Sequence, residues 1–511
     1  MLILPPYPIS EVQLGILFLI FATLLAIRCH CHVKVTKGRL LPPGPPGRPI
    51  IGSILEVAQR DAPRVFTRYR EQYGDLVLFQ GLGKNVLVLN SLQAINDLLE
   101  KRAPIYSHRP VSVFGGELLG LNDTVVFLPY GEEWRAHRKL MHSALSPLQV
   151  REYHGIQADA AALLGKALLE TPDEFWTLVR TYVGKIIIAI TYGIPASSVQ
   201  AELIEMGEEL MEIGAKAAIP GNYLCDSVPL FKYAPSWVHF QREAQRGRQL
   251  VQKFITKPIE VVKHDMEAGI ALPSFTQTLL ALPQDEAPEL ERRIPWVSGT
   301  IFNAGAETTY ATILSFILAM ALNPDKQKLA QAEIDAVVGD GRLPNLEDRK
   351  DLPYVNAVRK ETMRWLPAVP LGVPRRLIQD DFYGEYHIPK DTVIIPNAWA
   401  IAFAPNEKYD PQTFLPERFL DDSEPTTDPD TWAFGFGRRI CPGRHLADST
   451  IFIFIATLLA VFDISPPEDD EIVPEFTQHL VRIPQPFRCR ISPRSDAKSE
   501  LVKARAANSV V

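Results

Sequence analysis

Cys441 is the residue of this 511-residue chain whose surroundings best suit a reactive metal ligand. Gly437 and Gly443 flank it, and glycine allows the tight turn in which backbone N–H groups point at a sulfur. The apolar segment 444–462 predicts a helix whose positive N-terminal end faces the same sulfur. Both features lower the pKa of a thiol and stabilise its thiolate. We therefore predict that Cys441 is a thiolate ligand of haem iron, a ligand that favours cleavage of the O–O bond.

Phe434 and Arg439 complete the pattern around this cysteine. The planar guanidinium of Arg439 suits a haem propionate, and Phe434 is predicted to pack beside the sulfur and exclude water. The alternative is a glycine-rich turn with a buried cysteine, which would have to produce the whole spacing by chance. Segment 434–443 matches the haem-binding signature F-x-x-G-x-R-x-C-x-G of the cytochrome P-450 superfamily at every fixed position. The chain therefore resembles the microsomal haem-thiolate monooxygenases of that family.

The resemblance implies a fold, a cofactor and partners. The fold would be the cytochrome P-450 fold, mainly α with a small β region, and the cofactor would be haem b. Electrons would come from NADPH through NADPH-cytochrome reductase, with cytochrome b5 as an optional second donor. Independently, apolar runs at 77–78, 86–89 and 393–395 predict short strands, and helical patterns dominate the rest of the chain.

Segment 296–322 predicts a long helix that ends at Asn323-Pro324. A membrane span is the alternative, but Glu307 near its centre makes that costly, so we expect a helix buried in the core. Small residues before Glu307-Thr308 leave room for oxygen, and the Thr308 hydroxyl can bond the carbonyl four residues earlier or a ligand. A kinked helix with a solvated Glu is the plainer interpretation. Resemblance to the family's A-G-x-[D/E]-T-[T/S] motif implies that Thr308 steers protons to dioxygen and that Glu307 belongs to the relay.

Glu361 and Arg364 lie three residues apart on the helix predicted at 353–366, so both side chains share one face. The signal is weak alone, because the same spacing recurs at 132/135, 243/246 and 289/292, where we expect surface pairs. The order of these residues relative to Arg418 and the cysteine resembles the family's order. That resemblance implies a buried network of Glu361, Arg364 and Arg418 that braces the haem-binding core.

Trp134 and Arg138 begin a basic helix at i, i+4 spacing and can reach one anionic group together. The alternative is a basic surface helix, which we prefer for Arg135 and Lys139; those two could also dock an acidic redox partner. The resemblance assigns Trp134 and Arg138 to a haem propionate. It places Arg375 as a further propionate partner.

The N-terminal residues carry an almost unbroken apolar run at 12–27, followed by Arg28 and further basic residues. A cleaved signal peptide would carry its charge before the run, so we predict a permanent anchor with the remainder in the cytosol. The predicted segments are a lumenal terminus at 1–11, a transmembrane anchor at 12–28, and a basic flank with a proline-rich hinge at 29–47. A haem-thiolate catalytic domain at 48–494 and a polar, disordered tail at 495–511 complete the chain. A microsomal location, in the endoplasmic reticulum membrane, follows from the resemblance.

The composition excludes several functional classes. With 22% charged residues and a net charge of −7, the chain is too mixed for a disordered protein and too acidic for a nucleic-acid partner. The cysteines are five in number and show no zinc-type pairing, so a reducing compartment without a disulfide scaffold fits best.

Several stretches, at 99–102, 106–110 and 129–135, resemble fungal members of the family that act in specialised metabolism, of the O-methylsterigmatocystin oxidoreductase and tryptamine hydroxylase types. Regions that line the distal pocket in the family correspond to 111–122, 211–231, 302–303, 369–373 and 476–477, which are mostly apolar. We therefore predict hydroxylation or epoxidation of a lipophilic terpenoid, polyketide or indole. A haem-thiolate isomerase or peroxygenase without a reductase, and a non-enzymatic haem sensor, are the alternatives.

Overall fold

The computed structural model describes residues 39–48, 51–58, 60–195, 198–217, 222–282, 289–469 and 471–509. The predicted lumenal terminus at 1–11, the predicted anchor at 12–28 and the basic flank up to residue 38 lie outside these ranges. The proline-rich segment and most of the catalytic domain and of the tail lie within them.

Most of the described residues are helical, as the sequence predicted, and the strands form small sheets. The long helices are α1 Ala62–Tyr73, α2 Glu132–Leu145, α3 His154–Glu170, α4 Phe175–Tyr192, α5 Ser198–Ala217, α6 His239–Glu267, α7 Leu290–Leu322, α8 Pro324–Val337, α9 Pro353–Trp365, α10 Arg444–Val461 and α11 Asp496–Ala507. The strands are β1 Leu76–Gly81, β2 Lys84–Leu89, β3 Arg375–Arg376, β4 Asp381–Tyr383, β5 Tyr386–Ile388, β6 Val393–Pro396, β7 Phe462–Ser465 and β8 Arg490–Pro493.

The largest sheet has the strand order β1-β2-β6-β3. Strands β1 and β2 form an antiparallel hairpin, and β2 pairs with β6 in parallel, with Val86 opposite Val393. The three strands predicted from apolar runs are β1, β2 and β6, so those predictions are confirmed. Because β3 is the edge strand next to β6, the pairing of Arg375 with Ile394 fixes the backbone that carries the Arg375 side chain.

Helix α7 runs through the centre of the helical core and packs most extensively on α4. It begins six residues before the predicted start, at Leu290, and ends at Leu322 as predicted. Helices α7 and α10 are both long and apolar enough to cross a membrane, yet 72% and 78% of their most apolar windows are buried inside the protein. Burial on this scale is typical of core helices, so the expected core position of α7 is confirmed.

The segment 41–47 is extended and non-helical, as its prolines require, but it does not stand apart from the domain. The Pro43 carbonyl accepts a hydrogen bond from the Leu78 N–H at 2.8 Å, and the Leu40 carbonyl accepts one from the His387 N–H. A side chain at Gly44 would collide with the Leu78 carbonyl oxygen, only 1.9 Å from the position of its Cβ. The hinge therefore docks on β1 and β5.

The predicted disorder of the polar tail is wrong. Ser495 caps α11 by accepting the Lys498 N–H on its hydroxyl, and Val502 is completely buried against α3 next to Gly165. Ion pairs from Arg505 to Asp159 at 2.7 Å, and from Lys498 to acidic residues near α8, hold the helix in place. The tail is polar in composition because only a narrow face of α11 contacts the core.

Candidate haem-thiolate site

Cys441 lies in a tight loop between a 3-10 turn at Gly437–Arg439 and the start of α10 at Arg444. Gly437 has a φ of +52°, and a Cβ there would lie 2.2 Å from the Leu99 carbonyl oxygen. Only glycine combines this conformation with so close an approach of two backbones. The Cys441 N–H donates to the Phe434 carbonyl at 2.8 Å, which closes the loop. Whether the half-buried Phe434 ring shields the sulfur stays a prediction.

Burial raises the pKa of the Cys441 thiol. The N–H of Gly443 and the guanidinium groups of Arg138 and Arg444 act in the opposite direction, as the sequence predicted, but burial outweighs them. The expectation of a lowered thiol pKa is therefore wrong for the protein alone. A bound metal cation deprotonates a coordinating thiol outright, so this loop suits a thiolate formed together with its metal.

Arginines that are buried or half-buried surround the cysteine loop. Arg439 donates to the carbonyls of Ser107, Val125 and Leu128, and its guanidinium lies over Trp134 at 4.7 Å. Burial lowers the pKa of Arg439 to about 9, and the nearby Arg375 adds to the shift. A cation whose pKa falls this far lies in a place that lacks negative charge.

Arg138 and Arg375 approach the loop from two other elements. Arg138, on α2, donates to the Ile440 carbonyl at 2.8 Å, next to the cysteine. Arg375, on β3, donates to the Phe436 carbonyl at 2.5 Å, and burial lowers its pKa to about 10. Helix α2, strand β3 and the cysteine loop therefore bring together the predicted residues Arg138, Arg375 and Arg439.

Two buried donors at this cluster fit the carboxylates of a haem. Trp134 Nε1 and Arg375 Nη1 are both buried and have no hydrogen-bond partner among the described residues. Such orphaned donors are costly unless a ligand accepts from them. Haem propionates would supply acceptors for both and negative charge for the arginines, so the donor set fits haem. The individual assignments of Trp134, Arg138, Arg375 and Arg439 to propionates stay predictions.

Helix α7 exposes small residues in the middle of an otherwise buried length. Ala304 is exposed, whereas Phe302 and Thr309 on either side are buried. The Thr308 hydroxyl donates to the Ala304 carbonyl at 2.9 Å, four residues earlier. This is the local bond predicted for Thr308, and it keeps the hydroxyl on the face with the exposed small residue.

Glu307 turns toward α4, where it meets a residue that the sequence did not suggest. Arg180 Nη1 lies 3.3 Å from Glu307 Oε2 and 3.5 Å from Glu208 Oε1. Burial raises the pKa of Glu307, while the charge of Arg180 lowers it. In the sequence, Arg180 is noticeable only as a charged residue in the mostly apolar helix α4. Its pairing with Glu307 becomes visible only in the fold.

The predicted ion-pair network is present and buried. Glu361 is completely buried and accepts from Arg364 at 2.7 and 2.8 Å and from Arg418 at 3.1 Å. Arg418 lies in a 3-10 turn, Pro416–Phe419, that packs on α9. The network joins α9 to the segment that leads to the cysteine loop.

Arg109 is a further, half-buried member of the cationic cluster, to which the sequence assigned no role of its own. It donates to the Val126 carbonyl at 2.9 Å and to the carbonyls of Val373 and Pro374, both at 2.7 Å. Burial lowers its pKa, and the neighbouring Arg439 and Arg375 add to this shift. It lies in the stretch 106–110, which carries part of the family resemblance, and no local spacing pointed to its partners.

Comparison with known proteins decides the family. The family model described as Cytochrome P-450 matches residues 42–491. The chain belongs to the cytochrome P-450 family. This P-450 is 41% identical over 476 residues to cytochrome P-450 monooxygenase COX2 of Coprinopsis cinerea, which covers 90% of each chain. It is 35% identical to cytochrome P-450 monooxygenase claR of Ampulloclitocybe clavipes, over 97% of this chain and 92% of the relative.

A third relative, cytochrome P-450 monooxygenase 226 of Postia placenta, is 37% identical over 94% of this chain and 93% of its own length. The similarity of this P-450 to its relatives thus extends over nearly the whole chain. The protein is a cytochrome P-450 enzyme whose cofactor is haem iron and whose electrons come from a reductase partner.

Proposed function

We propose that this P-450 is a membrane-bound monooxygenase that inserts one oxygen atom of dioxygen into a lipophilic small molecule, by hydroxylation or epoxidation. The observation that carries the proposal is that Cys441 and the orphaned donors of Trp134 and Arg375 lie around one cluster of arginines. Haem held there by Cys441 would supply the oxygen-activating chemistry. Electrons would come from NADPH through NADPH-cytochrome reductase, with cytochrome b5 as a second candidate donor.

Thr308 is proposed to hold and pass a proton on the open face of α7. Its hydroxyl donates to the Ala304 carbonyl at 2.9 Å and is free to accept a bond from water or substrate. Ala304 beside it has no bulk beyond a methyl group, so a small molecule can approach the hydroxyl. This arrangement orients the proton donor without filling the space that the reaction needs.

Glu307 is proposed to bring protons from solvent. Glu208 is 56% exposed, Arg180 22% and Glu307 13%, so the three side chains lead from the surface toward α7. They line a cleft between α4, α5 and α7. Burial raises the pKa of Glu307, and a carboxyl with a raised pKa can gain and lose a proton closer to neutral pH.

The substrate is proposed to be lipophilic because apolar side chains dominate the segments expected at the distal pocket. Val113 and Phe114 are buried, as is Phe302 on α7. Apolar walls with few ionisable groups bind apolar ligands by burying their surface. The relatives named above are fungal monooxygenases, and we propose that this enzyme likewise acts in fungal secondary metabolism, on a terpenoid, polyketide or indole.

An exposed apolar patch supports attachment to a bilayer. Leu224, Leu230, Tyr233 and Trp237 lie close together in the chain and are 65–75% exposed. Leu82, at the tip of the β1–β2 hairpin, is 54% exposed. A hydrogen bond from Lys84 to the Asp226 carbonyl joins this hairpin to the segment 224–237, which contains the other four residues. Patches of this kind favour a lipid surface, in keeping with the predicted anchor at 12–28 and a cytosol-facing domain on the endoplasmic reticulum.

The proposed reaction is tested by the requirement for a reductase. Purified full-length protein is incubated with a library of lipophilic fungal metabolites, and those that change the spin state of the haem are assayed for turnover. Product that appears only with NADPH and reductase, and that contains one atom of labelled dioxygen, is the expected result. Full turnover without either would identify an isomerase or peroxygenase. Binding without any product across the library would favour a haem sensor.

The proposed bilayer contact is tested in lipid nanodiscs. Brominated lipids quench tryptophans that enter the bilayer, so wild-type protein should lose more fluorescence than Trp237→Phe. Trp176→Phe is the matched control, because Trp176 is half-buried and packs against Phe487, away from the exposed patch in the chain. Equal quenching of wild type and Trp237→Phe would contradict the contact.

A further inference from the structure

Arg359 on α9 is a buried cation outside the predicted Glu361 network. Its side chain is 1% exposed and faces two carboxylates. Nη1 and Nη2 contact the two oxygens of Asp430 at 2.9 and 2.7 Å, and Nη1 also lies 2.6 Å from Asp448. One planar guanidinium therefore joins two acidic residues that lie on either side of Cys441 in the chain.

The positions of these two acids relative to the cysteine are informative. Asp430 lies in the 3-10 turn Pro429–Thr431, just before the loop begins. Asp448 lies on α10, soon after the loop ends. The backbone that carries Cys441 runs from one carboxylate to the other. Arg359 thus holds both ends of this loop from a single point on α9.

The surrounding charges balance. Arg349 pairs with Asp448 through Nη2 at 3.0 Å, and Lys360 pairs with Asp428 at 2.6 Å. Together with Arg359 and Asp430, three cations face three carboxylates. A neutral cluster adds little net field at a distant atom, so its effect on the sulfur must come through geometry. In this it differs from Arg138, whose uncompensated charge acts on the thiol directly.

We propose that Arg359 is a positioning residue for the thiolate ligand: by fixing Asp430 and Asp448 together, it sets the separation of the loop ends and thereby the place of the Cys441 sulfur. The inference rests on the haem-thiolate role of Cys441. Loss of the contact between Arg359 and either carboxylate should let the loop relax, so that the Cys441 sulfur dissociates from the iron while the helices remain folded.

The test uses full-length, haem-loaded protein and two variants. Arg359→Lys keeps the positive charge, but an ammonium group cannot bind two carboxylates as the planar guanidinium does. Asp430→Asn weakens only the contact before the loop, at a side chain that is 40% exposed. In mild urea, the ferrous, carbon-monoxide-bound spectrum reports the thiolate ligand, and far-UV circular dichroism reports the helices. Because hydrogen bonds to charged groups are strong, each variant should lose the thiolate band about tenfold faster than wild type, with unchanged helix signal.

Arg494→Lys is the matched control. Arg494 also forms a two-pronged pair, with Asp335, and donates to the Ala460 carbonyl at 3.1 Å near the other end of α10. This variant should lose the thiolate band and the helix signal together. If Arg359→Lys and Asp430→Asn behave as Arg494→Lys does, Arg359 is only a structural residue and the inference is overturned. A wild-type protein without any thiolate band would instead overturn the role of Cys441, and the inference with it.

Discussion

Glu361→Gln should lower the free energy of unfolding by about 3–5 kcal/mol, the cost of breaking a buried ion pair. The carboxylate is 0% exposed, and the side chains of its partners Arg364 and Arg418 are each 2% exposed. Glutamine keeps the length of the side chain and one acceptor oxygen. It removes the only carboxylate that the two guanidinium groups contact by ion pairing among the described residues, and so leaves two buried charges uncompensated.

Glu289→Gln provides a control with the same local geometry. Glu289 and Arg292 are also three residues apart on one helical turn, with Nε and Oε2 separated by 3.0 Å. Their side chains are 58% and 51% exposed, so water replaces the lost interaction. The expected loss is below about 1 kcal/mol.

The assay is equilibrium urea unfolding of wild type and both variants, followed by far-UV circular dichroism and by haem absorbance in the same samples. Both glutamates share the i, i+3 spacing, so the difference between the two losses reports on burial and on the second arginine that Glu361 holds. If Glu361→Gln costs no more than Glu289→Gln, an uncompensated buried charge does not govern the stability of this region. The reasoning from the network would then be refuted.

Two further predictions concern the site, and a third concerns an ion pair between α2 and α7. Thr308→Ala should keep the haem spectrum and the use of NADPH but yield less product and more hydrogen peroxide; an unchanged ratio of product to NADPH would contradict the role of Thr308. Trp134→Phe removes an indole donor that has no protein partner, so the variant should lose haem to apomyoglobin about tenfold faster than wild type. Trp176→Phe, whose indole donates to the Phe487 carbonyl, should lose haem at the wild-type rate. A hydrogen bond from Arg293 lowers the pKa of Glu133 to about 2, from an ordinary 4.5. The resulting stabilisation is present above about pH 4.5 and is lost as the pH falls toward 2, so Glu133→Gln should unfold with a weaker pH dependence in acid; equal slopes for both proteins would contradict this.

The sequence predicted those parts of the site whose signal is local. The turn around Cys441 depends on glycines within a few residues of it, and the face shared by Glu361 and Arg364 follows from helical spacing. Helix α7 was predicted to within six residues of its start because its apolar character is continuous and a proline follows its end. Local spacing and composition are properties that a sequence displays directly.

The parts that escaped prediction depend on partners distant in the chain. Arg180 reaches Glu307 across 127 residues, and Arg359 reaches Asp430 across 71. No spacing rule connects such pairs before the helices are packed. The thiol pKa of Cys441 was predicted in the wrong direction for the same reason, because the degree of burial is set by the whole fold. Helix α11 was missed because small and polar residues make up much of its buried face.

The docking of α11 bears on where this protein can be trimmed. A version cut at Ile491, the last residue that the family model matches, would keep every signature of the family. It would nevertheless expose the apolar surface beside Gly165 on which Val502 packs. It would also remove Arg505 and Arg494, the cations that pair with Asp159 and Asp335. The family model therefore ends before the folded body of this chain does, and helix α11 belongs to the part that must be kept.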